Sequence, residues 1–217
     1  MSNNEAKSLI IKNLSMLETV KNVFDTEIAP KICEEICKLI KNWAEEQNFN
    51  GEYELWKDKY FWFYQENWKY IIEQEQDAWV ADYTFIFVDK GEEIHIDDSD
   101  IYYFLSPFIN VGPLRAGIKF SIERKAVKAG TLREWKKFVH GHKSYVELMK
   151  IGFEPIDSGN WFISWSLDSG SLANAYESEN IADALNPILQ VLDKIKIAHP
   201  IFEKLIYDAK KNFGPVI

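Results

Sequence analysis

Apolar positions in the first third of the chain recur at steps of three and four: Leu14, Leu17, Val20 and Phe24, then Ile28, Ile32, Ile36, Ile40 and Trp43. A turn of 3.6 residues keeps such side chains on one face, so the spacing predicts an amphipathic helical region. Lys31, Glu34, Glu35, Lys38 and Lys41 fall on the other side, as in a helix that covers a sheet. Pro30 has no amide to donate, and Asp25 or Thr26 can cap a new helix, so a break near Asp25 or a kink is expected.

After Gly51 the period shortens toward two. Over residues 79–88 the set Val80, Asp82, Thr84, Ile86 and Val88 alternates with Trp79, Ala81, Tyr83, Phe85 and Phe87, which predicts a strand over 80–88 closed by Asp89, Lys90 and Gly91. Residues 101–111 and 116–125 read as two more strands, joined as a hairpin by the turn chemistry of Gly112 and Pro113. Thr131 and Glu134 form a capping box at the start of one helix, with Trp135, Phe138, Val139, His142, Tyr145, Val146 and Met149 as its stripe and Gly152 as its end. Residues 161–167 predict a strand, and residues 181–196 and 200–211 predict two closing helices, Pro200 sitting in the first turn of the second.

This order predicts an α+β fold: a mainly antiparallel sheet flanked by helices, with a long N-terminal helical region and two C-terminal helices. Across 217 residues there is no fixed-period repeat and no Ser-, Gly- or Pro-rich linker, so a single domain is expected over 1–217, with residues 1–48 packed on it.

The run Tyr60 to Ile71, "YFWFYQENWKYI", leaves two readings open. An element apolar on both faces is buried between layers, and here Tyr60, Trp62 and Tyr64 would share one face while Phe61 and Phe63 share the other. Alternatively Trp62, Trp68 or Trp79 lines an aromatic groove and stacks on a base, a sugar or a partner side chain.

Charge narrows the partner. A formal net charge of -9 disfavours nucleic acid, whose nonspecific affinity comes from clustered Lys and Arg. Arg115, Arg124 and Arg133, with Lys119, Lys125, Lys128, Lys136 and Lys137, still leave a local basic segment suited either to solvent or to an anionic ligand. The N-terminus lacks a secretory pattern, and the longest uncharged stretch, residues 101–114, falls short of the roughly 18 needed to span a bilayer. A cytoplasmic protein without a membrane partner is expected. Cys33 and Cys37, four apart on a helical pattern, read as buried thiols. His140 and His142, two apart on a helix, point in different directions and do not complete a zinc site.

No Gly-x-Ser-x-Gly elbow, Walker sequence or Gly-x-Gly-x-x-Gly occurs. The sharpest catalytic candidate is "IERK", where Glu123 and Lys125, two apart on the expected strand, share a face. A hairpin at Gly112 would return Asp97, Asp98 and Asp100 toward Glu123. Two carboxylates can hold Mg²⁺ and a lysine can position its water. This resembles the PD-(D/E)XK nuclease superfamily: Glu123 and Lys125 match its Glu-x-Lys, and Asp100 or Asp98 stands for its first acidic residue, although no Pro-Asp precedes the hairpin. That resemblance implies a Mg-dependent nuclease or phosphodiesterase, with Asp100 and Glu123 on the metal.

A second resemblance points away from catalysis. The Trp-rich strand region, the turn "GFEP", the strand from Trp161 and the terminal helices follow one another as in the non-catalytic C-terminal region of some bacterial PD-(D/E)XK family proteins, over about residues 50–210. It implies a non-enzymatic binding or regulatory module without a cofactor, recognising a protein or an anionic ligand in bacterial or phage conflict. Trp68, Trp79, Arg115, Arg124 and Lys128 are the candidate contact residues.

Overall fold

The computed structural model describes residues 3–72, 76–94, 103–157 and 159–214. Helices α1 (Asn3–Lys12) and α2 (Leu14–Val23) lead through a π-helical turn (Phe24–Ile28) into α3 (Ala29–Glu46). The expected irregularity therefore falls at Phe24–Ile28, and Pro30 sits in the first turn of α3, where its missing amide costs no bond. Strands β1 (Phe49–Glu54) and β2 (Tyr60–Gln65) follow, then a 3-10 turn (Glu66–Trp68), the hairpin β3 (Lys69–Ile72) and β4 (Gln76–Trp79), and strands β5 (Ala81–Asp89) and β6 (Glu92–Ile94). After β7 (Arg115–Ile122) come α4 (Leu132–Gly141), α5 (Ser144–Ile151), β8 (Glu154–Pro155), β9 (Trp161–Ser164), α6 (Ser169–Glu177) and α7 (Asn186–Phe213).

The result is an α+β architecture. Among the described residues, seven strands form one antiparallel sheet in the order β1-β2-β5-β7-β9-β8, with β6 hairpinned onto the end of β5. Its register sorts side chains into cross-strand rows. Gly51, Phe63, Tyr83, Phe120, Trp161 and Pro155 lie side by side across six strands, and the next row is Glu52, Trp62, Thr84, Lys119, Phe162 and Glu154. Successive residues of a strand face opposite ways, so the first row belongs to one face and the second to the other.

The first face is the core. Ile32, Ile36, Ile40 and Trp43 of α3 and Ile195, Ala198, Phe202 and Leu205 of α7 are buried in one cluster with Phe61, Phe63, Tyr83, Phe85, Ile118 and Phe120. Phe202 stacks on Phe120 with ring centroids 3.7 Å apart, and Tyr83 Oη meets His199 Nδ1 at 3.2 Å. The helices contribute nothing to the small cluster on the second face, formed by Ile86, Val88 and Phe162 with Ile156 against it.

Several expectations are corrected. Where described, residues 103–111 are no strand: they form a turn and a 3-10 segment (Ser106–Ile109), ended by Asn110 in the left-handed region. The hairpin at Gly112 and Pro113 therefore does not form, and β7 pairs with β5 and β9 instead. The two C-terminal helices are one, α7, with Pro200 inside it. Both Pro200 and Lys196, four residues earlier, are exposed, so the carbonyl that proline leaves unbonded lies on the solvent side.

The single helix expected from Thr131 is two. Its capping box forms as expected, but His142 turns extended, holds Asp208 of α7 through Nε2 at 3.0 Å and accepts from Ser144 N at Nδ1. Val146 and Met149, assigned to the buried stripe, are consequently exposed.

The Phe202–Phe120 stack generates a stability test. Phe202→Ala empties a fully buried site and is expected to cost about 3–5 kcal/mol in urea unfolding. Tyr207→Ala, on the exposed side of α7, is expected to stay within about 0.5 kcal/mol.

Candidate binding face

The second sheet face carries two adjoining features. The first is a ring platform. Alternation along β2 sends Phe61 and Phe63 into the core, fully buried, and leaves Tyr60, Trp62 and Tyr64 partly exposed on the other side. The core reading of the run therefore holds for Phe61 and Phe63 alone, and β2 is not apolar-buried on both faces. Trp62 and Tyr64 stack with centroids 5.3 Å apart. Trp79, delivered by the β3–β4 hairpin, closes on them at 4.6 Å and 5.0 Å. Glu52 Oε2 accepts from Trp62 Nε1 at 3.3 Å and from Tyr60 Oη at 3.2 Å, which fixes both rings. Trp79 Nε1 is shut off from solvent and meets no acceptor among the described residues.

The second feature is a polar cleft of about 500 Å³ beside Asp82, Lys119, Ser121 and Glu123. Trp135 of α4 is buried in its wall, and Gly159 lies so close that a Cβ there would stand 2.8 Å from the indole nitrogen. Gly159 also has φ of 101°, so two constraints demand glycine. Lys136 and Asp157 stand at the rim, Asp157 bonded to Asn160 at 3.1 Å.

Charges in the cleft largely neutralise one another. Lys119 Nζ reaches both oxygens of Glu93, at 2.9 and 2.8 Å. Asp82 accepts from the hydroxyl of Thr84. Burial is the main cause holding its carboxyl above the ordinary value of 3.8; Thr84 and Lys119 offset part of that rise, and the charges of Glu93 and Glu123 add to it. Burial thus disfavours the charged form of this carboxyl.

The sequence-nominated residues divide. Asp100 lies outside the described residues, as do Asp97 and Asp98. Glu123 reaches the cleft, but β7 ends at Ile122, so Glu123 and Lys125 do not share a strand face. Residues 124–128 form a turn in which Glu123 Oε1 accepts from the backbone amide of Lys125 at 2.9 Å, and Lys125 is absent from the cleft lining. Among the described residues no group of three or more Cys, His, Asp and Glu could hold a metal ion.

Trp68 is not a surface contact residue: it is 1% exposed and its Nε1 donates to Glu203 of α7. Trp79 is partly exposed on the platform. Arg115 is held by a bidentate pair with Glu154 at 2.7 and 2.8 Å, and Arg124 by the carbonyl of Gly130 at 2.6 Å. Lys128 is exposed in the turn. Of the basic segment, Lys119, Arg124 and Lys136 meet at the cleft, while Arg115 is paired to Glu154 away from its lining.

The thiols and histidines hold no common site either. Cys33 is buried, Cys37 accepts from Leu55 N, His140 packs edge-on to Tyr145, and His142 holds Asp208. Sequence reasoning missed Asp82 and Asp157. The one signal for Asp82 was a carboxylate inside an otherwise apolar strand; Asp157 sits in a loop and carried none.

No family model, no curated protein and no solved structure matches this chain. No helix among the described residues is long and apolar enough to cross a membrane.

Asp82 gives a pH prediction with a defined sign. Its folded-state value is raised, so the folded chain holds the proton more tightly than the unfolded chain. The contribution of this group to stability thus falls as pH climbs above 3.8 and stays low beyond the folded value. Asp82→Asn keeps an acceptor for Thr84 and removes the titration. Its stability relative to the parent, from urea unfolding, is expected to rise between about pH 4 and pH 7.

Proposed function

We propose that the chain is a non-enzymatic binding module whose second sheet face takes a protein partner. The observation that carries this reading is the row Glu52, Trp62, Thr84, Lys119, Phe162, Glu154, which joins a rigid ring platform to a polar cleft with no helix side chain in its apolar cluster. Aromatic rings beside engaged polar groups suit the centre of a protein interface, where tryptophan and tyrosine dominate binding energy.

An anionic ligand is the weaker choice. In the cleft lining Asp82, Glu123 and Asp157 stand against Lys119, Arg124 and Lys136, and the first two of those cations are already engaged. Phosphate recognition needs donors free to turn toward it. The nuclease reading loses its geometric motive where Lys125 leaves the cleft lining, and the resemblance to a non-catalytic region points the same way as the ring platform. An acidic chain in this role favours basic partners through long-range steering, as suits a regulator in bacterial or phage conflict.

The test is a photo-crosslinking amino acid placed at Tyr64, with Tyr207 on the exposed side of α7 as the control position. In native extract a discrete adduct is expected at Tyr64, absent from Tyr207, and reduced at least about tenfold by Trp62→Ala, as for a hot-spot ring. No adduct above the control, together with Mg²⁺-dependent cleavage of DNA or RNA that Glu123→Ala abolishes, would replace this reading by the nuclease.

A further inference from the structure

The N-terminal arm poses a separate physical problem. Every described side chain of α1 is exposed and α2 buries none. Yet the arm carries Leu9, Ile10, Leu14, Met16 and Val20, each about half exposed, at 54, 53, 50, 57 and 49%. Helix α1, ten residues cut off from α2 at Asn13, is marginal in water without an apolar face packed on something, and α2, continuous with α3, holds out a stripe that has no cover among the described residues.

The stripe continues into a groove. Leu14, Leu17, Val20, Phe24 and Ile28 follow at steps of three and four, and Phe24 and Ile28 line an apolar groove of about 370 Å³ with Ile32, Leu105, Leu172 and Tyr176. Helical hydrogen bonding runs from α2 through the π-helical turn into α3, so the arm leads away from the groove at its own foot and cannot fold back to fill it.

We propose that the occupant is a second copy of this chain, its arm antiparallel to the first about a two-fold axis near Leu17. Such an axis sets Leu17 against its symmetry mate and Leu14 against Val20 within α2, and brings α1 of each copy toward Phe24 at the mouth of the other's groove. A two-fold contact needs a self-complementary patch, and a stripe whose spacing mirrors about one residue is one.

Charge and area agree with the choice. Two chains at -9 repel, whereas residues 3–23 carry Lys7, Lys12 and Lys21 against Glu5 and Glu18, so the arm is where a second copy meets no net negative charge. Leu14 to Phe24, the unbroken part of the stripe beyond the turn at Asn13, spans about 15 Å of helix, and α1 adds Leu9 and Ile10 beyond it. Pairing that strip with its mate, a groove at each end, covers on the order of the 1,000 Å² that separates specific interfaces from casual contacts.

Sedimentation equilibrium of the full chain tests this, with Leu17→Glu and Thr19→Glu as a matched pair. Thr19 is exposed and lies off the stripe, and Leu17 is not buried, so neither change disturbs the fold, which circular dichroism and thermal unfolding check. The expected result is a dimer whose dissociation constant rises at least about a hundredfold in Leu17→Glu, where two like charges meet on the axis, and less than about threefold in Thr19→Glu. A chain that stays monomeric at every concentration overturns the proposal. So does a dimer equally strong in both variants, or an arm that as a monomer binds anionic vesicles and loses that binding in Leu17→Glu.

Discussion

The stack of Phe202 on Phe120 fixes where α7 lies on the sheet, and most of the structure follows from it. The same turn of α7 brings His199 to the hydroxyl of Tyr83, the one phenol in the core row, and Glu203 to the indole nitrogen of Trp68. A buried phenol or indole without a partner is costly, so these bonds stabilise Tyr83 and Trp68 between helix and sheet, whereas the indole nitrogens of Trp161 and Trp165 find no acceptor among the described residues. Burial pushes the Tyr83 hydroxyl well up and the His199 imidazole down, both favouring the neutral forms that such an interior tolerates.

Because α7 and α3 take the first face, strand alternation leaves the second to other uses. Tyr60, Trp62 and Tyr64 are as aromatic as Phe61 and Phe63, yet only the latter two are fully buried. The polar heads separate the two groups: Trp62 and Tyr60 spend theirs on Glu52, an exposed carboxylate on the neighbouring strand. The rings are thereby held as a platform rather than sunk in a core. The cleft beside it is polar for the same reason, since Asp82, Lys119 and Ser121 occupy outward positions of β5 and β7.

Much of this was legible in the sequence. The alternation that placed Tyr83, Phe85 and Phe87 together, the capping box at Thr131 and the irregularity before Pro30 all reflect local rules acting without opposition. Residues 103–111 misled because a short apolar run has no period of its own, and Pro107 with the left-handed Asn110 bends it into a 3-10 turn whose Phe108 carbonyl accepts from Leu167. At Pro200 burial on one side of α7 outweighs the local penalty. At His142 a long-range bond to Asp208 breaks a helix that periodicity would continue. The candidate site was harder to read, because the cleft depends on strand register and on loop residues such as Asp157, and Glu-x-Lys lost its meaning once β7 stopped at Ile122.

Hydroxyl-radical footprinting read by mass spectrometry tests the central division of the sheet into a helix-covered face and a platform face. Trp62 and Tyr64 are expected to oxidise at several times the rate of Trp68, Tyr83 and Phe202, which α7 and the sheet enclose. Equal protection of all five residues, or faster oxidation of Trp68 than of Trp62, would contradict it.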